Sequence, residues 1–371
     1  MYDVSIAKEE KEVHEAYELF YRSFGKTYYD AKDAFDLSKS IDPTLKTKNV
    51  FVMKNEYGTV IGAARTVERD INISGESFHI GGIATTALHP KYRGEGLFTK
   101  LTDFVLDNMA KRKLSLCLVF ARRNIDNIYV KHGFWGTPVE RNYVLLNPPE
   151  IITKNYWFRR ATESDIPLLE KMYRKVYGNL PVYLERPEYL WRIKLQEGKG
   201  TRFYGYVLFD LNSSSESPIG YLFTEHNKII ELAADSTDPS IYKTMLFSNI
   251  SPVSEFAKQG FSVPLTHPAI TEMQGEPYSI YTRHPTNGGN ILRILDKDPK
   301  IKSMLRKSLQ KWGFSEGEIR SVIGEPDHVQ MKTAALFGYE TKDTKKVFGI
   351  PEESRLNKKP MDFILSGLDD F

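Results

Sequence analysis

The stretch His89–Phe98, HPKYRGEGLF, sets two basic side chains and two glycines just ahead of an apolar helical pattern. A strand ending near His89 and a helix starting near Gly94 would leave the first helical N–H groups without partners, at the positive end of the helix dipole. Glycines at that point let a ligand reach the backbone without meeting a Cβ. Such a turn takes phosphate or pyrophosphate on main-chain N–H groups, with Arg93 adding charge at the rim. A plain glycine-rich turn is the other reading, and Gly-x-Gly alone does not separate the two. A second stretch, NIDNIYVKHGF, forms a short helix ending at Gly133, with Ile125, Ile128, Tyr129 and His132 along one face. The Tyr129 phenol, ordinarily near pKa ~10, is protonated at neutral pH and can donate. Its alternative is a buried aromatic. His89 and His132 are expected as partners at element ends, and Cys117, inside LSLCLVF, as a small core residue.

Periodicity places these stretches among alternating elements. Val13, Ala16, Leu19, Phe20 and Phe24 have helical spacing, and a second short helix is expected around Ala34–Ile41. Strands are expected at Asn49–Lys54, at Thr59–Ile71 and over ESFHIGGIATTALH. The helix after the glycines carries Leu97, Phe98, Leu101, Phe104, Val105 and Met109 on one stripe, and LSLCLVFA reads as a buried strand. RNYVLLN is expected to close this first unit as a strand before Pro148-Pro149. The first 147 residues thus read as an α/β unit with a mixed sheet.

A new start follows at WFRRATESDIPLLEKMYRKVYG, then strand-like runs at FYGYVLFDL, IGYLFTE and IIELAAD. EFAKQGF echoes YVKHGF, which suggests a divergent internal repeat. The second unit has no glycine-rich turn: its strand KIIELAAD leads to STDPS, so it is expected to be structural. From about Asn290 a strand NILRILD, an amphipathic helix and a charged tail read as a small α+β region.

The chain has 371 residues, which suits two or three domains, and an ordinary globular composition of 41% hydrophobic and 27% charged residues. A net charge of +3, spread along the chain, argues against a nucleic-acid surface. One cysteine fits a reducing compartment, and no signal peptide or membrane-length apolar run is visible, so a cytoplasmic protein with no membrane partner is expected. The scattered histidines predict no metal site.

The Arg93–Phe98 turn and the Tyr129-x-x-x-Gly133-Phe134 helix end resemble the two signatures of the GNAT superfamily of acyl-CoA-dependent N-acyltransferases. Phe98 departs from that pattern, which usually has a small residue there. The tandem layout, Leu97-Phe98 and the Asp369-Asp370-Phe371 ending further resemble the enhanced-intracellular-survival type of acetyltransferase. The resemblance implies a catalytic GNAT domain at 1–147, a degenerate GNAT-like domain at 150–287 and a sterol-carrier-protein-like α+β domain at 288–371. It implies acetyl-CoA as cosubstrate and a small-molecule primary amine as acceptor, small and cationic, aminoglycoside-like or lysine-like. Ile83, Ala84 and Thr85 would hold the pantetheine arm. Arg93, Gly94, Glu95, Gly96, Leu97 and Phe98 would hold the pyrophosphate, with Asn124 as a further cofactor contact. Tyr129 would be the acid, and the terminal carboxylate of Phe371 the base. Tyr28, Tyr29, Asp36 and Trp135 would line the acceptor pocket. A homo-oligomer, hexameric in that type, is the implied assembly. An acyl-CoA-binding regulator and an aminoacyl-tRNA-dependent peptidyltransferase are the competing readings.

Overall fold

The computed structural model describes residues 2–24, 46–121, 126–136, 141–145, 148–180, 182–195, 203–214, 217–225, 228–236, 238, 240–258, 260–263, 267–269, 278–282, 289–295, 298–311, 314–324 and 363–364. In the first part of the chain these form β1 (Asp3–Ile6), α1 (Glu10–Phe24), β2 (Val50–Lys54), β3 (Val60–Ile73), β4 (Glu76–Leu88), α2 (Leu97–Lys111), β5 (Leu116–Ala121), α3 (Asp126–Val130), β6 (Trp135–Gly136) and β7 (Arg141–Leu145). The next part holds β8 (Tyr156–Arg160), α4 (Ile166–Tyr177), β9 (Val182–Glu185), α5 (Glu188–Leu195), β10 (Phe203–Asp210), β11 (Gly220–Glu225), β12 (Lys228–Ala234), α6 (Ser240–Phe247), α7 (Ser254–Ala257), β13 (Phe261–Val263) and β14 (Tyr278–Thr282). Then come β15 (Gly289–Ile294), α8 (Pro299–Lys311), α9 (Glu316–Gly324) and β16 (Phe363–Ile364). Strand β1 is an addition to the expected order: four residues are too short to show a period.

Two sheets organise the described residues. The main path of the first runs β1-β2-β3-β4-β5-β15-β6, and that of the second β14-β7-β13-β12-β11-β10-β8. Read from β8, the second repeats the first. In each, one parallel contact (β4 with β5, β12 with β13) interrupts otherwise antiparallel pairing along the path. The next-to-last strand of each path comes from the other part of the chain. Strand β7, expected to close the first unit, pairs with β13 and β14 instead. In turn β15, expected to open the C-terminal region, lies between β5 and β6 in the first sheet. Both are apolar strands that either sheet can take, so a local pattern does not specify the partner. Helix α8 also packs on the first sheet, through Ile301 against Ile71, Ile73 and Phe78.

Amphipathic helices cover the sheets. Helix α1 buries Val13, Ala16, Leu19 and Phe20 on one face of the first sheet. On the other face α2 buries Leu97, Leu101, Val105 and Met109 against Ile83, Cys117 and Val119. Each such side chain contributes roughly 1.5–3 kcal/mol through burial. Gly81 lets this helix approach: a Cβ there would meet Met109 and Leu114 at 2.9 Å.

Candidate active site

The site begins with an irregularity in β4. Arg65 pairs with Thr85 and Thr66 with Ile83, so Ala84 faces no partner on β3. This is a β-bulge, which bends the strand and re-aims its backbone groups. The parallel ladder to β5 covers only Gly81–Cys117, Gly82–Leu118 and Ile83–Val119. Beyond Ile83, β4 runs on to Leu88 without β5, and the two strands part at the bulge. The expected pantetheine residues Ile83, Ala84 and Thr85 sit together at this fork.

The turn after β4 follows. Pro90–Tyr92 make a 3-10 turn whose preceding His89 accepts a hydrogen bond from the Lys91 N–H, as expected of an element-end histidine. Gly94 and Gly96 have φ of 85° and 74°, the left-handed region that favours glycine. Gly96 caps α2, so the helix starts three residues later than the sequence suggests. A Cβ on either glycine would stand in open space. Among the described residues, none accepts from the amides of Gly94, Glu95 or Gly96. The first turn of α2 adds further unpartnered N–H groups by geometry. The turn therefore meets the two conditions for an anion cradle, free amides and an open approach. Arg93 is exposed and folds its Nε onto the Leu88 carbonyl at 3.3 Å.

Glu95 puts an acidic side chain in that cradle. The Tyr2 hydroxyl donates to its Oε2 at 3.0 Å, and the Tyr2 ring stands edge-on to Tyr92, centroids 6.0 Å apart. Lys100 Nζ donates to the Tyr2 carbonyl. Tyr2, just ahead of β1, thus ties the turn from outside and holds the carboxylate. The sequence carries no signal for this link, which joins residues 93 positions apart.

Tyr129, on α3, lies beside the fork at 3% exposure. Its ring meets Phe98 edge-on at 5.6 Å and Phe134 at 5.5 Å. Burial pushes the phenol up to about 12, opposed by a hydrogen bond with the Thr86 side chain and assisted by nearby Cys117. The phenol thus stays protonated through the neutral range, next to β4 just past the bulge. Phe98, the motif's departure, is a wall for Tyr129. His132 follows, buried, with Nδ1 2.8 Å from Asp103 on α2. Cys117 is fully buried and its thiol is pushed up to about 12 by burial, so it is a core residue.

The structure therefore brings Ile83, Ala84, Thr85, the Arg93–Phe98 turn and Tyr129 to one end of β4. Trp135 lies on β6 beside β15. Tyr28, Tyr29, Asp36, Asn124 and Phe371 lie outside the described residues. Thr86 is the residue that sequence reasoning passed over; nothing but its place two residues after the bulge sets it apart. Among the described residues, no helix is long and apolar enough to cross a membrane, and no group of three or more His, Cys, Asp or Glu could hold a metal ion.

A forked mixed sheet with a glycine turn at its mouth is the arrangement of the GNAT-type fold. Residues 5–137 match the family model of the acetyltransferase (GNAT) domain. Solved structures of the same fold include a GCN5-related N-acetyltransferase from Anabaena variabilis at 15% identity, covering 80% of this chain and 73% of that one, TM-score 0.56. An Enterococcus faecalis protein of unknown function, described as a probable N-acyltransferase, matches at 14% over 80% and 72%, TM-score 0.56. Saccharomyces cerevisiae N-myristoyltransferase with bound myristoyl-CoA matches at 10% over 80% and 81%, TM-score 0.50. No curated protein matches the chain in sequence.

Proposed function

We propose that this protein is an acyl-CoA-dependent N-acyltransferase that moves an acetyl group to a small primary amine. The observation that carries this reading is the fork at Ala84 with unpartnered amides at Gly94–Gly96 on one side and the buried Tyr129 on the other. The cosubstrate supplies an activated thioester carbonyl. Amides of Gly94 to Phe98 would hold its pyrophosphate, and backbone groups freed at Ala84 would polarise the carbonyl. The amine attacks that carbon directly. Tyr129 donates a hydrogen bond to the departing sulfur. A phenol near 12 is a weaker acid than a thiol near ~8.5, so this bond stabilises a thiolate more than it protonates one. The Phe371 carboxylate is the candidate base, receiving the amine's proton. The second sheet, a sterol-carrier-like C-terminal region and a cytoplasmic homo-oligomer complete the proposal by resemblance.

The test is CoA release across a panel of amines with acetyl-CoA and longer acyl-CoAs, on wild type, Tyr129→Phe and a chain extended past Phe371. Tyr129→Phe should lower kcat by about 10²-fold with KM for acyl-CoA within about twofold, since the lost contact forms as the sulfur departs. The extension should lower turnover too. Turnover untouched by both changes would remove this mechanism; acetyl-CoA binding without any turnover would favour a binding protein.

A further inference from the structure

The bulge at Ala84 changes which face of the first sheet each later residue of β4 presents. Ahead of it, Ile83 is buried with α2, and Ile80 lies on the opposite face with Ile301 of α8. Strict alternation of side chains along a strand would put Thr86 on the face of Ile80. The extra residue reverses that alternation. Beyond it Thr86 pairs with Ala64, Ala87 with Ala63 and Leu88 with Gly62. Ala87 is buried with α1, while Ala64 and Leu88 are buried with α2. Thr86 therefore shares the α2 face with Tyr129. The bulge that opens the fork also turns this hydroxyl towards the phenol.

The Thr86 side chain is hydrogen-bonded to the Tyr129 phenol, and the bond favours the ionised form of the ring. A bond of that sense is one in which Thr86 donates to Tyr129 Oη. Among the described residues no other group bonds to Tyr129 Oη. A phenol oxygen carries a single hydrogen and accepts through its lone pairs. With Thr86 in an acceptor position, the Tyr129 hydrogen is left to point elsewhere, from a side chain 3% exposed beside the fork. The ring is fixed edge-on by Phe98 at 5.6 Å and Phe134 at 5.5 Å. Those contacts hold the ring plane and leave rotation about its C–O bond to the hydroxyl that reaches it. An accepted hydrogen bond also polarises the phenol's own O–H, which makes it a stronger donor.

We propose that Thr86 is a positioning residue for the transfer step: its hydroxyl donates to Tyr129 Oη and so directs the phenol hydrogen into the fork, at the departing sulfur. This rests on the proposed reaction, in which Tyr129 faces that sulfur. Neither hydroxyl gives up its proton. The amine nitrogen bonds to the thioester carbon, the carbon–sulfur bond breaks and its electron pair stays on sulfur. The phenol hydrogen bond stabilises that thiolate, and the amine's proton goes to the base. Without the Thr86 hydroxyl the phenol hydrogen would turn away from the sulfur as readily as towards it. The β-branched threonine is stiff about χ1, which keeps its hydroxyl on the ring.

The test is CoA release from acetyl-CoA by the full chain as wild type, Thr86→Val, Thr86→Ser and Tyr129→Phe, with Thr86→Val also made in Tyr129→Phe. Valine keeps the branched shape and removes the hydroxyl. Thr86→Val should lower kcat about tenfold, with KM for acyl-CoA within about twofold and no loss of thermal stability. Thr86→Ser should return kcat to within about threefold of wild type. Added to Tyr129→Phe, Thr86→Val should change kcat by less than about twofold, because the hydroxyl acts only through the phenol. A second measurement needs no turnover. In a chain carrying carbon-13 at tyrosine Cζ, the Tyr129 resonance, assigned by its loss in Tyr129→Phe, should move in Thr86→Val and return in Thr86→Ser. Full kcat in Thr86→Val beside a loss in Tyr129→Phe, no recovery in Thr86→Ser, an equal loss in the Tyr129→Phe background, or an unmoved resonance would each overturn the proposal and leave the proposed reaction standing. Full turnover in Tyr129→Phe would overturn both.

Discussion

The two sheets share a fold and differ at the crossover after their fourth strand. In the first, β4 bulges at Ala84, and eight residues rich in glycine lead to α2. In the second, β12 bulges at Ile230, since Phe223 pairs with Glu231 and Thr224 with Ile229, and the parallel contact is Ile229–Phe261. The frame is the same; the contents are reversed. Where the first sheet offers open amides, the start of α6 is filled by Asp238, which accepts from the Ser240 N–H at 2.9 Å and its hydroxyl at 2.7 Å. Those bonds hold the Asp238 carboxyl below its ordinary range. A phosphate would find a fixed negative charge at that end. Asp235 adds another, held low by Lys171 and Lys175.

The position that matches Thr85 is Glu231, fully buried and bound by both oxygens to Arg186 at 2.9 and 2.6 Å. Tyr221 donates to it at 2.7 Å, and Arg186 lies over Tyr173 and Trp191 at 4.2 and 4.8 Å. Arg186 directly follows β9, whose backbone pairs with Asp70–Ile73 of the first sheet. The second bulge thus anchors a strand that joins the sheets, where the first leaves Ala84 without a partner on β3. One frame serves cohesion in one place and, in the proposed reaction, binding in the other.

That contrast can be broken from either side. The largest effect belongs to Arg186→Met: it strands a buried carboxylate, so stability should fall by about 3–5 kcal/mol, read by denaturant unfolding. Replacing Glu231 by Gln in the same chain should recover part of it. Next, Gly96→Val demands a left-handed β-branched residue and puts a side chain over the cradle. The KM for acyl-CoA should rise by about 10–100-fold with kcat less affected, read by CoA release. Tyr129→Phe sharpens the comparison through pH. Its folded pKa of about 12 lies above the exposed value, so the folded state holds the proton more tightly. That stabilisation is present below about pH 10 and lost as pH rises towards 12. The variant should therefore lose less thermal stability than wild type between about pH 9 and about pH 11. The smallest effect is Asp238→Ala, a lost helix cap of about 1 kcal/mol with no change in CoA release. A gain of acyl-CoA binding at the second sheet in that variant would show that one carboxylate is all that separates the two crossovers.

Much of the first site was legible because it is local. Arg93–Phe98 and the Tyr129 helix are short stretches whose residue types constrain their backbone whatever surrounds them: glycine for positive φ, apolar spacing for α2. The silence of the second crossover was legible for the same reason, since STDPS has no glycine to open its amides. Even Phe98 was visible as a departure, although its role against Tyr129 was not. The bulge at Ala84 and the Tyr2–Glu95 bond left no trace, because each depends on which strand lies alongside.

What the sequence by itself determined is most elements of the first sheet, the glycine turn and the buried character of Cys117, all consequences of residue type over a few neighbouring positions. Only the tertiary structure decided that β7 and β15 trade sheets, that Ala84 marks the fork, and that Glu231 takes the place matching Thr85. Strand partners are chosen by the packing of whole faces, in which apolar strands such as RNYVL and GNILRI compete on nearly equal terms, and no single stretch records the outcome.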